Sequence, residues 1–185
     1  MRAPIGPALA AALAFGAAGQ AMAWGSSGHR VIGEAAMQAL PAELPPFLRG
    51  ADSATAVGEL SREPDRSRGA GKAHDADRDP GHFVDGGDDG KIGGAVSFAA
   101  LPPTRDDYET ALRAAGTSSW RMGYLPYSII EDWQQLVKDF AYWRVDDAGA
   151  RNAVNPAHRI WLEADRARRQ AQILVDIGLL SHFVG

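Results

Sequence analysis

No cysteine occurs in the 185 residues, so no disulfide can staple the fold, and where a staple is needed a bound metal is the device that remains. General attraction to phosphate backbones is missing too. The 19 Lys and Arg face 23 Asp and Glu, a net charge of −4 with histidine neutral, and a surface of that sign does not draw in polyanions. Any phosphate-bearing substrate therefore has to be held by a local site. Long apolar runs are scarce as well: the stretch from Ala8 to Ala18 falls short of the roughly 20 residues of a membrane span.

That stretch has another use. Arg2 precedes it, and small residues at Ala21 and Ala23 follow, the pattern of a secretory leader with its peptidase site. Residues 1–23 are expected to be removed, leaving 24–185 as part of a single domain in a secreted or periplasmic protein. Because Arg2 leaves with the leader, 18 Lys and Arg remain against 23 Asp and Glu, a net charge of −5. Cutting after Ala23 makes Trp24 the first residue. A free α-amine, with an ordinary pKa of about 7.7–8.0, can ligate a metal where a peptide nitrogen cannot. Gly25, Ser26, Ser27 and Gly28 form a flexible link that can fold the Trp24 amine and carbonyl and the His29 imidazole onto one cation. An equally open reading has Ser27 capping a helix that starts near His29, with His29 in solvent.

Along the chain, Val31, Ile32, Ala35, Ala36 and Leu40 recur at helical spacing before Pro41. A second short helix is expected around Phe47 and Leu48, stopping at Gly50, followed by a polar segment. Ser61 to Gly94 reads as a long loop, of the kind that is functional or disordered; Gly81-His82-Phe83-Val84-Asp85 gives it apolar residues to bury beside a histidine. Residues 85–92 resemble the start of a calcium loop. Gly87 at its third place and Val96 at its twelfth break that pattern, so a solvated turn is expected there.

Thr104 and Asp107 predict a capping box for a helix ending near Gly116, with Tyr108, Leu112 and Ala115 on its inner face. Ile129, Ile130, Trp133, Leu136, Val137, Phe140 and Trp143 form a stripe at three-and-four spacing, expected to be core. Pro126 suits the first turn of that helix. After a break around Asp146 to Pro156, a last helix from about Ala157 is expected to turn Trp161, Ala164, Ala171, Leu174, Val175 and Gly178 inward. His182 continues that face, where a histidine serves either as a satisfied core residue or as a ligand. His74 and His158 are expected to be solvated.

Four blocks stand in a fixed order: Trp24 and His29 at a processed terminus, Pro64-Asp65, Gly81-His82-Phe83-Val84-Asp85, and Ser181-His182-Phe183-Val184-Gly185. Together they resemble the zinc-dependent family that joins single-strand-specific fungal and plant nucleases to bacterial phospholipases C. The resemblance runs from Trp24 to Gly185 and corresponds to about the first half of the family's domain. It implies a mainly helical, all-α fold and three zinc ions that hydrolyse phosphodiester bonds in single-stranded nucleic acid or phospholipid. By the same resemblance, Trp24 and His29 hold one zinc, while Asp65, His82 and His182 hold its close neighbour. Asp65 sits in Glu63-Pro64-Asp65 where the family has Trp-Ala-Asp, and Glu59 is a nearby alternative acid. The family pattern continues from its His-Phe-Val-Gly to a bridging aspartate, and further on to two histidines and an acid for the remaining zinc. Residues 24–185 by themselves are therefore expected to hold at most part of the metal set and to be inactive. A non-catalytic helical binding protein is the reading from another class.

Overall fold

The computed structural model describes residues 25–68 and 78–185; the expected leader, Trp24 and His74 lie outside the described residues. Helix α1 (Ser26–Gln38) turns His29, Gly33 and Met37 inward at a spacing of four. Ile32 and Ala36 are half-buried, whereas Val31 and Ala35, expected on the inner face, are exposed. Gly25 occupies the N-cap position without a side-chain cap, so Ser27 does not play the capping role. A 3-10 turn at Pro46–Leu48 buries Leu48.

Two segments expected to be irregular are helical. Residues after Gly50 form α2 (Ala51–Leu60), which buries Val57 and Gly58; its alanines favour helix, and Asp52 in the first turn complements the helix dipole. The supposed loop from Ser61 to Gly94 begins with α3 (Glu63–Arg68). It continues after the undescribed residues with a 3-10 turn at Asp79–His82 and a small hairpin of β1 (Lys91–Ile92) and β2 (Val96–Ser97). Lys91 pairs with Ser97 and Ile92 with Val96, antiparallel. Residues 85–91 stay largely exposed, as a solvated turn should.

A further 3-10 turn at Phe98–Ala100 leads to α4 (Arg105–Ala114). Thr104 Oγ1 accepts from the Asp107 amide at 3.1 Å and donates to the Asp107 carboxylate at 2.7 Å. The expected cap is thus present, with the acid taking the hydroxyl proton. Tyr108 and Leu112 are fully buried and join Ile92, Val96, Tyr124 and Tyr127 in one core cluster. After the short α5 (Ser119–Met122) come two long helices, α6 (Leu125–Asn152) and α7 (Pro156–Val184). At 28 and 29 residues each spans about 42 Å. The architecture is all-α apart from the small hairpin, and among the described residues no helix is long and apolar enough to cross a membrane.

The break between α6 and α7 is shorter than the sequence suggests. Helix α6 runs past Asp146 to Asn152, and Asn155 Oδ1 caps α7 by accepting from the amides of Ala157 and His158. Polar Asp146-Asp147 continues the helix because both acids find roles in it: Asp146 is buried against α7, and Asp147 pairs with Arg151 and with Arg166 at 3.0 Å.

Helix α6 meets α7 along a seam of Asp132, Leu136, Asp139, Trp143, Asp146 and Ala150, all buried or half-buried. This is a three-and-four repeat in which every seventh residue is an aspartate. Asp139, fully buried, accepts from Arg169 at 2.7 Å and Gln135 at 2.6 Å. Asp176 of α7 accepts from Gln172 at 2.8 Å and faces Asp139, while Asp146 faces Asp165. Because the seam claims this face, the expected apolar stripe is only partly core. Leu136 is buried and Phe140 and Trp143 pack beside it; Ile130, Trp133 and Val137 are 45%, 56% and 49% exposed. Trp133 and Val137, with Leu40, Leu44, Leu48 and Phe140, line an open apolar groove of about 600 Å³. The inner face of α7 is likewise shifted: Leu162, Ile173, Asp176, Gly178, Ser181 and His182 are buried, while Trp161, Ala164 and Ala171 are exposed.

Burial, then Asp176 and Glu131, raise Asp132 to about 6. Burial comes first in raising Asp146 and Asp176 as well, followed by a facing carboxyl. An acid whose pKa is raised by folding favours the native state most when protonated, and that contribution is lost as pH climbs from about 4 through about 6. Asp132→Asn, which fixes a neutral side chain, is therefore expected to raise stability at pH 8 by about 1–2 kcal/mol after allowing for solvent screening, and to lose that advantage by pH 4.5. Thermal melts of both proteins across this range check it; an equal difference at both ends contradicts the assignment.

Candidate metal centre

Four elements deliver the side chains. His29 comes from the first turn of α1, Asp65 from α3, His82 from the end of the Asp79–His82 turn, and His182 from the last turn of α7. Close backbone approach brings two of these elements, α1 and α7, onto α2. A Cβ on Gly178 would stand 2.5 Å from Leu60 Cβ and 3.2 Å from the Ser61 nitrogen; one on Gly33 would stand 3.1 Å from Gly58 Cα. Helices α1 and α7 thus lie directly against the C-terminal end of α2, so residues near these glycines converge.

His29, Asp65 and His182 each offer a ligand atom, and these atoms all lie within 4.8 Å of one another. His29 Nε2 is 3.8 Å from Asp65 Oδ2, and His182 Nε2 is 4.0 Å from Asp65 Oδ1. Both separations exceed hydrogen-bond range, so the carboxylate stands between two imidazoles without bonding to either. The His29 and His182 rings are 4.0 Å apart, centroid to centroid.

The tautomer of His182 follows from its surroundings. Its Nδ1 lies 2.9 Å from the Ser61 carbonyl, an acceptor, so Nδ1 carries the proton and Nε2 presents a lone pair toward Asp65. Burial, followed by the neighbouring His29, pushes the His182 pKa down to about 4, so the ring is neutral at ordinary pH. His82 is built alike: Nδ1 donates to the Arg78 carbonyl at 3.1 Å, leaving Nε2 buried with no partner. The His82 ring stands edge-on to His182 at 5.3 Å. His29 Nδ1 is also buried and unpartnered.

The chain holds His82 there by main-chain ties. Tyr124 N donates to the Pro80 carbonyl at 2.8 Å, Leu125 N to that of Phe83 at 3.1 Å, and Asp85 N to that of Met122 at 2.7 Å. Gly123, at φ +74°, has room for no Cβ against the Phe83 carbonyl.

The structure therefore groups His29 with Asp65 and His182, and sets His82 beside that group. The resemblance divides the same residues differently. Trp24 lies outside the described residues. Glu59, the alternative acid, is engaged elsewhere, with Arg62 at 2.6 Å, Arg66 at 3.2 Å and Arg30 at 3.8 Å. Arg68 bridges Asp79 at 2.6 Å and approaches Asp65 at 3.9 Å. His158 is exposed and stacks near Trp161. Beside His82 a cleft of about 540 Å³ opens, with Arg78, Arg105, Tyr124, Asp132 and Phe183 in its walls. Arg105 lies 3.6 Å over the Tyr124 ring. Neither Arg105 nor the Ser61 carbonyl carries a sequence signal: one is an ordinary helix-start cation, the other a main-chain atom.

The His182 imidazole with its Nε2 lone pair free, the His29 imidazole, the Asp65 carboxylate, and the His82 imidazole with an orphaned nitrogen are a donor set suited to zinc. Comparison of the chain with family models, curated proteins and solved structures finds no match. The weight rests on these side chains.

His29→Ala, Asp65→Asn and His182→Ala are each expected to weaken zinc binding by more than the roughly 10- to 100-fold that loss of an outer hydrogen-bond partner costs. His158→Ala is expected to leave it unchanged. Competition against a chelator measures all four; an unaltered affinity in His182→Ala would return that residue to a core role.

Proposed function

We propose that this chain belongs to a secreted or periplasmic zinc-dependent phosphodiester hydrolase of the nuclease type, acting on single-stranded nucleic acid. The observation that carries the reading is the convergence of His29, Asp65 and His182, drawn from three helices distant in sequence, into one group of imidazole and carboxylate donors. Buried histidines are ordinary when their ring nitrogens are satisfied. Here His29 Nδ1 and His82 Nε2 are buried without partners, which a purely structural role leaves unexplained.

His29, Asp65 and His182 hold the ion in this reading, and His82 supplies the next donor. Zinc held there would supply Lewis-acid chemistry, activating a water and stabilising charge on a phosphoryl oxygen. The chain's own residues do the rest. The Ser61 carbonyl fixes the His182 tautomer, the Arg78 carbonyl does the same for His82, and burial keeps His182 neutral and available. Arg105 and Arg78 in the cleft wall offer cations to a substrate phosphate, and the half-buried Phe183 ring offers an apolar face to an unpaired base. Local recognition of this sort suits a protein whose overall charge is negative.

The natural processed protein, loaded with zinc, is expected to cleave single-stranded DNA and the generic diester bis(p-nitrophenyl) phosphate, to lose both activities to a chelator, and to leave lecithin intact. Assaying the three substrates side by side decides the matter. Cleavage of lecithin in place of DNA supports the phospholipase alternative, and tight zinc binding with no hydrolysis of any substrate supports a non-catalytic binding protein.

A further inference from the structure

Ser61 is fully buried and stands at the C-terminal end of α2, a position where helix geometry leaves carbonyls without partners inside the helix. Its carbonyl accepts the His182 Nδ1 proton at 2.9 Å. Its hydroxyl lies 2.7 Å from the carbonyl of His29 and 2.7 Å from that of Gly58, and shares its one proton between them. One residue thus touches both histidines of the candidate site from behind, through its main chain on one side and its side chain on the other. The room is limited: a Cβ on Gly33 would stand 3.0 Å from Ser61 Oγ, and one on Gly178 would stand 3.2 Å from the Ser61 nitrogen.

Resting on the metal-site reading above, we propose that Ser61 is the positioning residue of the site, which sets the spacing of His29 and His182 and the tautomer of His182 before any ion arrives. The carbonyl supplies the partner that a ligating imidazole takes on its second nitrogen, and it does so at the electronegative end of a helix, where an N–H donor is favoured. The hydroxyl ties α1 to the same point, so the His29 ring keeps its register against α7. Asp65 follows four residues after Ser61, in the first turn of α3. All three donors therefore refer to the same short stretch of backbone.

Zinc affinity, measured by chelator competition on the natural processed protein, tests this together with the melting temperature of the metal-free form. Ser61→Ala removes the tie to α1 and keeps the carbonyl; it is expected to weaken zinc binding about tenfold or more. Ser61→Cys keeps a weak donor of similar size and is expected to recover part of that loss. Ser53→Ala serves as the control, because Ser53 Oγ makes the same kind of bond, to the Phe47 carbonyl at 2.6 Å, away from the site. It is expected to lower the melting temperature without moving zinc affinity. Equal zinc affinities in Ser61→Ala and Ser53→Ala overturn the proposal, as does a cysteine variant no better than alanine. A wild-type protein with no zinc affinity instead removes the metal-site reading on which this one rests. Ring-nitrogen NMR of the wild-type metal-free protein tests the carbonyl half without any substitution. A neutral Nδ1-protonated His182 is expected, and an Nε2-protonated ring overturns the assignment.

Discussion

Backbone-to-backbone approach where α1, α2 and α7 cross sets the distances in the candidate site. Gly33 of α1, Gly58 of α2 and Gly178 of α7 all stand where a methyl group would press on a neighbouring chain. Their missing side chains let the helices close until main-chain atoms meet. At that separation His29 and His182 reach across to one carboxylate, and the Ser61 carbonyl reaches the far side of the His182 ring. Widening the crossing by the thickness of one methyl would separate the donors beyond the span of a single small cation, whose bonds to nitrogen and oxygen are about 2.0–2.2 Å. The glycines cost helix propensity of roughly 1 kcal/mol each, and the site is what that cost obtains.

The α6–α7 pair shows a second compromise. Placing Asp132, Asp139 and Asp146 at successive seven-residue steps on a packed seam requires each acid to be desolvated. Arg169, Gln135 and Gln172 satisfy some of the oxygens, and burial raises the pKa of Asp132 and Asp176 above the usual carboxylate range. Fixing the pair by these polar contacts has a geometric result: α7 sits against the acidic seam, so part of the strongest apolar stripe in the sequence faces the open groove. The same docking carries the end of α7, with His182, into the site.

Much of this was legible in the amino-acid sequence, and the reasons for the rest are physical. The Thr104–Asp107 cap, both long helices and the all-α class follow from local pattern and are found. His29 and His182 carried an open ligand role in the local pattern, Asp65 and His82 only through the resemblance, and the structure groups His29, Asp65 and His182 with His82 adjacent. Helix α2 was hidden because its alanines and small polar residues give little apolar periodicity, and α3 because its charges read as loop. The inner faces of α6 and α7 were misjudged because aspartates at seam positions contradict the rule that apolar periodicity marks the core. A repeat of acids at every seventh residue was the signal that could have revealed the seam. The role of Ser61 rests mainly on a carbonyl, which no side-chain pattern encodes.

The central claim is that one zinc ion is held by imidazoles and a carboxylate converging on the α1–α2–α7 crossing. X-ray absorption at the zinc edge tests it most directly, because imidazole rings give a characteristic outer-sphere scattering that water and carboxylate do not. The account expects nitrogen and oxygen neighbours at about 2.0–2.2 Å, scattering from at least two imidazoles, and loss of one imidazole's contribution in His182→Ala. A shell of oxygen alone, without imidazole scattering and unchanged in that variant, would contradict it.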